Sequence, residues 1–202
     1  MSADDRRRHI AAEGAALVAR YGSYGVPMQA VADAVGLTLP GLNHHVRTRD
    51  ELLALIVETY YDDVADDAAA AARLRADGDA APDGSLSLPR ALRRIVEADT
   101  RRPELVGLFM RLAVEAHDPA HPAHDYYARR HQRLLAVTAS LPWRLPERFR
   151  DEAAFGDLLR TAFCAMDGTQ VQGLTDPAES MADLWGRVER TLFGSPEWDG
   201  CR

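Results

Sequence analysis

Lysine is absent from this chain of 202 residues, so all 24 of its basic side chains are arginines. Eighteen of them lie beyond residue 50, and we read the bias as genome composition rather than selection for phosphate contacts. Cysteine is nearly absent too. Cys164 falls inside a predicted helix and Cys201 is the penultimate residue; settings so unlike predict no structural disulfide and a reducing compartment. No apolar run approaches the ~20 residues that cross a bilayer, and no signal-peptide pattern occurs, so the expected location is cytoplasmic. Strand-like alternation, a fixed-period repeat, a glycine-rich phosphate cradle and a Gly-x-Ser-x-Gly elbow are all missing. No nucleophile has a positioned base either, and an enzyme is not expected.

A strong basic excess is also lacking. The net charge is -7, which argues against a purely electrostatic nucleic-acid binder. The charge is unevenly spread, however. The first 50 residues carry six arginines against five carboxylates, and the remainder eighteen against twenty-six. The N-terminal part is slightly basic, with His9, His44 and His45 in addition, so any DNA recognition there leans on a few placed groups such as Arg6 to Arg8, Arg47 and Arg49.

What the chain does contain is a two-helix junction between Val26 and Val46. Met28, Val31, Ala32 and Val35 share one face at spacings of three and four. Gly36 suits the left-handed conformation that ends a helix, Leu37 follows as the apolar residue that tucks the turn inward, and Thr38 is an N-cap. The next helix is predicted from Leu39 to His45, with Pro40 in its first turn and Leu42 inward. Leu39, Gly41, Asn43 and His44 are expected to face outward. A helix from about Asp4 to Tyr21 precedes the junction, its stripe formed by Ile10, Ala11, Gly14, Leu17 and Val18. Thr48 and Glu51 have the spacing of a capping box at the start of a fourth helix. The pattern is a helix-turn-helix.

Taken together, Ile10-Ala-Ala12, Leu17 to Gly22, Val31-Ala-Asp-Ala-Val-Gly-Leu-Thr38, Leu42-Asn-His-His-Val46 and Thr48-Arg-Asp-Glu-Leu-Leu53 resemble the N-terminal signature of the tetracycline-repressor-like (TetR) family over roughly the first 55 residues. Phe163 to Pro177 is similar, more weakly, to a helix end in that family's C-terminal domains. Asn43, Val46 and Arg49 stand where the family has tyrosine, phenylalanine and lysine, and Pro40 and Gly41 replace a small pair. Arginine is a competent phosphate ligand, and asparagine can read adenine.

The resemblance implies an all-α fold. A three-helix head, residues 1–49, is joined by a long helix to a larger helical effector-binding and dimerisation domain, residues 50–202. It also implies a ligand-responsive regulator, a repressor, binding a palindromic operator as a homodimer and released by a small-molecule effector. No cofactor or metal is expected. Gln29, Thr38, Leu39, Gly41, Asn43, His44, Arg47 and Arg49 are the candidate DNA-binding residues, with Thr38 and Arg49 on phosphate and Asn43 or His44 near base edges.

Beyond Leu53 the fourth helix is predicted to run through Val64 into Asp66-Asp67 and a run of alanines, and residues 77–87 read as a loop. Further helices are expected over 89–101, 103–117, 122–141, 151–174 and 177–193, started by Pro89, Pro103, Pro122, Asp151 and Pro177. In the resemblance the last two helices pair with their copies from a second subunit. The expected interface residues there are Phe155, Leu159, Phe163, Met181, Leu184, Trp185, Val188 and Leu192; the alternative is that they close the monomer's own core. Candidate effector residues are Phe109, Met110, Ala113 and His117, then Phe163, Met166, Asp167 and Gln170. Asp167 and Gln170 stand out because polar groups on an apolar stripe need partners.

Two rival readings stay open. His117, His121 and His124, with Asp118 and Asp125, pack into nine residues and raise a metal-dependent enzyme, although Pro119 and Pro122 interrupt the run. A ligand-binding dimer whose altered head binds DNA weakly and acts through a protein partner is the other.

Overall fold

The structure, a computed structural model, describes residues 2–61, 75 and 80–202. Among these residues it is all-helical: α1 (Ala3–Tyr21), α2 (Met28–Ala34), α3 (Leu39–Asn43), α4 (Arg49–Tyr61), α5 (Leu88–Thr100), α6 (Pro103–Glu115), α7 (His124–Ser140), α8 (Glu152–Thr175) and α9 (Met181–Leu192), with a 3-10 turn at Glu147–Arg150. Pairing of the β type is limited to isolated bridges, from Leu86 to Ala80 and to Trp143. The expected run of α4 past Tyr61 lies outside the described residues. The chain forms two compact units, one from the described residues of Met1–Asp63 and Glu104–Arg130, the other from those of Val64–Pro103 and His131–Arg202.

In the first unit α1 starts at Ala3 because Ser2 and Asp5 cap it reciprocally: the Asp5 N–H donates to Ser2 Oγ at 3.1 Å and the Ser2 N–H to the Asp5 carboxylate at 3.3 Å. The buried stripe of α1 is Ile10, Ala11, Gly14, Ala15 and Val18. Helix α4 packs closely on it. A Cβ at Gly14 would lie 3.1 Å from both Leu52 Cδ1 and Ile56 Cδ1, so the bare backbone sets the approach of the two helices. The head core is completed by Val31, Ala32, Leu42 and Val46, with Leu52, Leu53 and Ile56 of α4 beneath.

The turn between α2 and α3 is built as the sequence predicts. Gly36 has φ +67°; the Leu37 N–H donates to Ala32 O at 2.9 Å and the Gly36 N–H to Asp33 O at 3.2 Å, the paired bonds of a Schellman motif. Thr38 Oγ1 then accepts the Gly41 N–H at 3.1 Å. Helix α3 is shorter than expected, ending at Asn43 rather than His45, because the His45 and Val46 N–H groups both donate to Leu42 O, at 2.8 and 3.0 Å, and tighten the last turn. At the start of α4, Thr48 caps the Glu51 N–H at 3.1 Å, but the Glu51 carboxylate takes the Arg47 N–H at 2.7 Å instead of closing the box on Thr48.

Helix α6 and the first turns of α7 belong to the same unit. Tyr127 donates to Phe109 O at 2.7 Å and its ring lies 5.2 Å from that of Phe109. Pro122 does not open α7, which begins two residues later at His124.

The second unit packs α5, α8 and α9 together. Arg93 of α5 forks onto the Glu189 carboxylate of α9 at 2.6 and 2.9 Å, and Trp185, Phe193 and Trp198 are almost wholly buried. Trp198 stands edge-on to Phe193 at 4.8 Å and tilted on Phe149 at 5.6 Å, which holds the C-terminal segment. Helix α9 starts at Met181, not Pro177. A Ser180–Asp183 capping box places the start there, and Gly173 of α8 lets Met181 approach so closely that a Cβ would meet Met181 Cγ at 2.6 Å.

Replacing Gly36 by alanine forces a side chain into the left-handed region and should destabilise the head by about 1–2 kcal/mol, read as a lowered Tm. An unchanged Tm would mean that the turn relaxes to another conformation.

Candidate nucleic-acid interface

Around the buried Leu42 and Val46, the motif presents Thr38, Asn43, His44 and Arg47 to solvent. Asn43 and His44 make no side-chain hydrogen bond among the described residues, so both retain their full donor and acceptor capacity for a base edge. Arg47 is an open cation, its side chain 79% exposed. Its guanidinium meets Glu51 Oε1 at 3.0 Å, a surface pair weak enough to exchange for a phosphate. Gln29 is exposed on α2 and donates to Asp33 at 2.7 Å.

Three of the predicted DNA contacts are placed differently. Leu39 is half-buried and packs against the head core, and Gly41 is half-buried as well, because a five-residue helix turns both partly under itself. Arg49 is directed back into the protein: Nη1 donates to Tyr24 O at 2.6 Å, and Nε is buried without a hydrogen-bond partner among the described residues. The arginines of α1 are engaged too, Arg6 with Val35 O at 3.4 Å, Arg7 with Glu58 at 4.0 Å and Arg8 with Asp5 at 2.5 Å. Only the Arg8–Asp5 pair, three residues apart on α1, had a spacing signal; the partners of Arg6, Arg7 and Arg49 lie on other turns and helices.

The candidate effector residues are divided between the units. Phe109, Met110 and Ala113 lie on α6 and His117 two residues past its end, all in the first, and Phe163, Met166, Asp167 and Gln170 on α8 in the second. Asp167 is exposed rather than on the inner stripe, and His117 is exposed with Nδ1 3.0 Å from Val114 O. Gln170 is 5% exposed; its amide donates to Asp99 at 2.6 Å, and its Oε1 is buried without a partner among the described residues. The second unit also holds an open groove of about 1200 Å³ walled by Leu135, Ala139, Trp143, Phe149, Phe155 and Leu159. The Pro142 to Pro146 break was its one sequence signal.

Of the expected interface residues, Phe155, Leu159, Phe163, Met181 and Trp185 are each more than nine-tenths buried within the chain itself. Little of them is left for a second copy. Leu184, Val188 and Leu192 are half-buried, and on α8 the exposed apolar positions are Val171 and Leu174, beside exposed Cys164.

Each histidine of the cluster has its Nδ1 engaged by backbone. His117 and His124 direct Nδ1 at carbonyls, Val114 O at 3.0 Å and Ala116 O at 2.8 Å; as a carbonyl only accepts, each ring donates there. His121 does the reverse, accepting the Ala123 N–H on Nδ1 at 3.2 Å, with Nε2 3.7 Å from Glu115. Among the described residues no three His, Cys, Asp or Glu side chains are arranged to hold a metal, and no helix is long and apolar enough to cross a membrane.

No family model matches the chain, and no curated protein matches it in sequence. In the solved structures it is similar to a protein of Mesorhizobium loti MAFF303099 described, provisionally, as a TetR-family transcriptional regulator. The likeness covers 95% of each chain with a TM-score of 0.60 at 16% identity. The likeness shows that the two proteins share a fold.

The Glu51 carboxylate is held below its ordinary range, first by the Arg47 backbone N–H and then by the Arg47 side chain. A lowered folded-state value stabilises the fold above the unfolded value, and the contribution is lost as pH falls through the folded one. Wild type should therefore exceed Glu51→Gln in stability by a constant margin above about pH 5. The margin should shrink below ~4.3 and vanish at lower pH. Denaturant titrations of both proteins across that range check it.

Proposed function

We propose that the chain is a homodimeric, TetR-like transcriptional regulator, a repressor, that reads a palindromic operator with α3 and is released by a small-molecule effector. The observation that carries this reading is the α2–α3 motif: a Schellman turn at Gly36 and a Thr38 cap hold α3 so that Asn43, His44 and Arg47 project from a buried Leu42 and Val46. A helix this short reads only a few base pairs. A two-fold pair of heads set ~34–36 Å apart reads a palindrome, which is the physical reason for a dimer.

In this reading residues 1–49 act as the DNA-reading head and residues 50–202 as the effector and dimerisation region. The exposed side of α8, with Val171 and Leu174, and the part-exposed Leu184 and Val188 of α9 supply the surface for the second copy. The orphaned Gln170 Oε1 favours an effector that brings an N–H or O–H donor, since an unpaired buried acceptor gains by being matched. Effector binding shifts α4 and changes the separation of the two heads. The effector must then prefer the DNA-incompetent state by about 1–3 kcal/mol. No catalytic step enters this account. A second reading, in which the head binds DNA weakly and acts through a protein partner, is favoured by Asn43 in place of an aromatic and by the engagement of Arg49 with Tyr24.

Salt-dependent binding to the preferred duplex tests the assignments. Arg47→Ala should weaken all sequences alike and lower the salt slope by about one, whereas Arg49→Ala, whose guanidinium is tied to the Tyr24 carbonyl, should weaken binding with the slope unchanged. Asn43→Ala should instead cost about 1–3 kcal/mol at one base-pair position and leave the slope unchanged. A slope unaltered by Arg47→Ala would remove that residue from the phosphate contacts, and a slope lowered by Arg49→Ala would return Arg49 to them.

A further inference from the structure

One arginine outside the head is held in an unusual way. Arg111 of α6 has a side chain only 18% exposed, and its Nε and Nη2 are buried without a hydrogen-bond partner among the described residues. The nearest carboxylate is Glu115, 3.6 Å from Nη1, and Glu115 is shared with His121 at 3.7 Å. What covers the guanidinium is the ring of Tyr24, its centroid 4.3 Å from Arg111 Cζ. A planar cation over the negative face of a phenol ring is attracted to it, and the attraction grows as water is excluded.

Tyr24 sits in the turn between α1 and α2. It is 69% exposed and lies outside the hydrophobic core of the head, so its other face is in water and it is not a packing residue. Its two ends are nevertheless held by different helices: the ring by Arg111 of α6, the carbonyl by Arg49 at the start of α4. The turn itself is tight. Gly22 has φ +71°, and a Cβ at Gly25 would meet Tyr21 O at 2.5 Å. The segment leads directly into α2, which begins at Met28.

We propose that Tyr24 is a positioning residue for DNA reading, clamped between Arg111 and Arg49 so that the seat of α6 sets the placement of the α2–α3 motif. The inference rests on the DNA-binding reading above for its role, but not for its geometry. A displacement of Arg111 along α6 uncovers the Tyr24 ring and frees the turn while leaving the core of α1 and α4 intact.

The test compares wild type with Tyr24→Phe, Tyr24→Leu, Arg111→Met and the Tyr24→Leu/Arg111→Met pair. Tyr24→Leu and Arg111→Met should each weaken binding to the preferred duplex about three- to tenfold with the salt slope unchanged, since no phosphate contact is lost. The double variant should be no weaker than either single one, and Tyr24→Phe, which keeps the ring, should bind as wild type does. Amide exchange read without DNA separates this inference from the DNA-binding reading. Residues 29–45 should lose protection in Tyr24→Leu and in Arg111→Met, whether or not wild type retains a duplex. Additive losses, a salt slope reduced by Arg111→Met, or unchanged exchange in the leucine variant would each overturn the clamp. If Arg111→Met fails to fold, Tyr24→Leu against Tyr24→Phe decides alone.

Discussion

The backbone reversal at Gly36 is the constraint on which the reading head depends. Two donors, the N–H groups of Gly36 and Leu37, turn back onto the last carbonyls of α2, and this is possible because a residue without a Cβ occupies the left-handed region. Thr38 then starts α3 at once, so only four residues, Val35 to Thr38, separate the two helices. Everything exposed on α3 is positioned by that short connection. Leu42 and Val46 anchor the inner side, and the core of α1 and α4, brought close by Gly14, gives them a fixed floor.

Below the motif, charge is used mainly for placement. Arg6, Arg7, Arg8 and Arg49 each engage a carbonyl or carboxylate of the chain itself. A slightly basic head thus keeps few free cations, and Arg47 with the neutral Asn43 and His44 carries most of the proposed recognition. In the second unit the balance is different. Burial of Trp185, Phe193 and Trp198 is nearly complete, a forked Arg93–Glu189 pair joins α5 to α9, and the buried Gln170 Oε1 has no hydrogen-bond partner among the described residues. Such an orphan is costly to keep unless something meets it.

Local physics was legible in the chain and long-range attachment was not. The α2–α3 turn, the Thr38 cap and the stripe of α1 follow from spacing and from glycine and threonine chemistry, and the structure reproduces them. Prolines misled: Pro122 and Pro177 suit a first helical turn, yet Ser180 caps α9 three residues beyond Pro177, and α7 opens past Pro122. Apolar stripes misled as well. Phe163 and Trp185 are indistinguishable in sequence from interface residues, and only packing shows them covered by their own unit. Arg49 has the spacing of a phosphate ligand, but its partner, the Tyr24 carbonyl, lies 25 residues away on a turn that periodicity does not describe.

The central claim is that a pair of these heads reads DNA. Selection of random duplex DNA on the purified protein at moderate salt, followed by sequencing of the retained molecules, tests it most directly. The account predicts a palindromic consensus whose half-sites lie about one helical turn apart, ~34–36 Å. A folded dimer that enriches no sequence would contradict it.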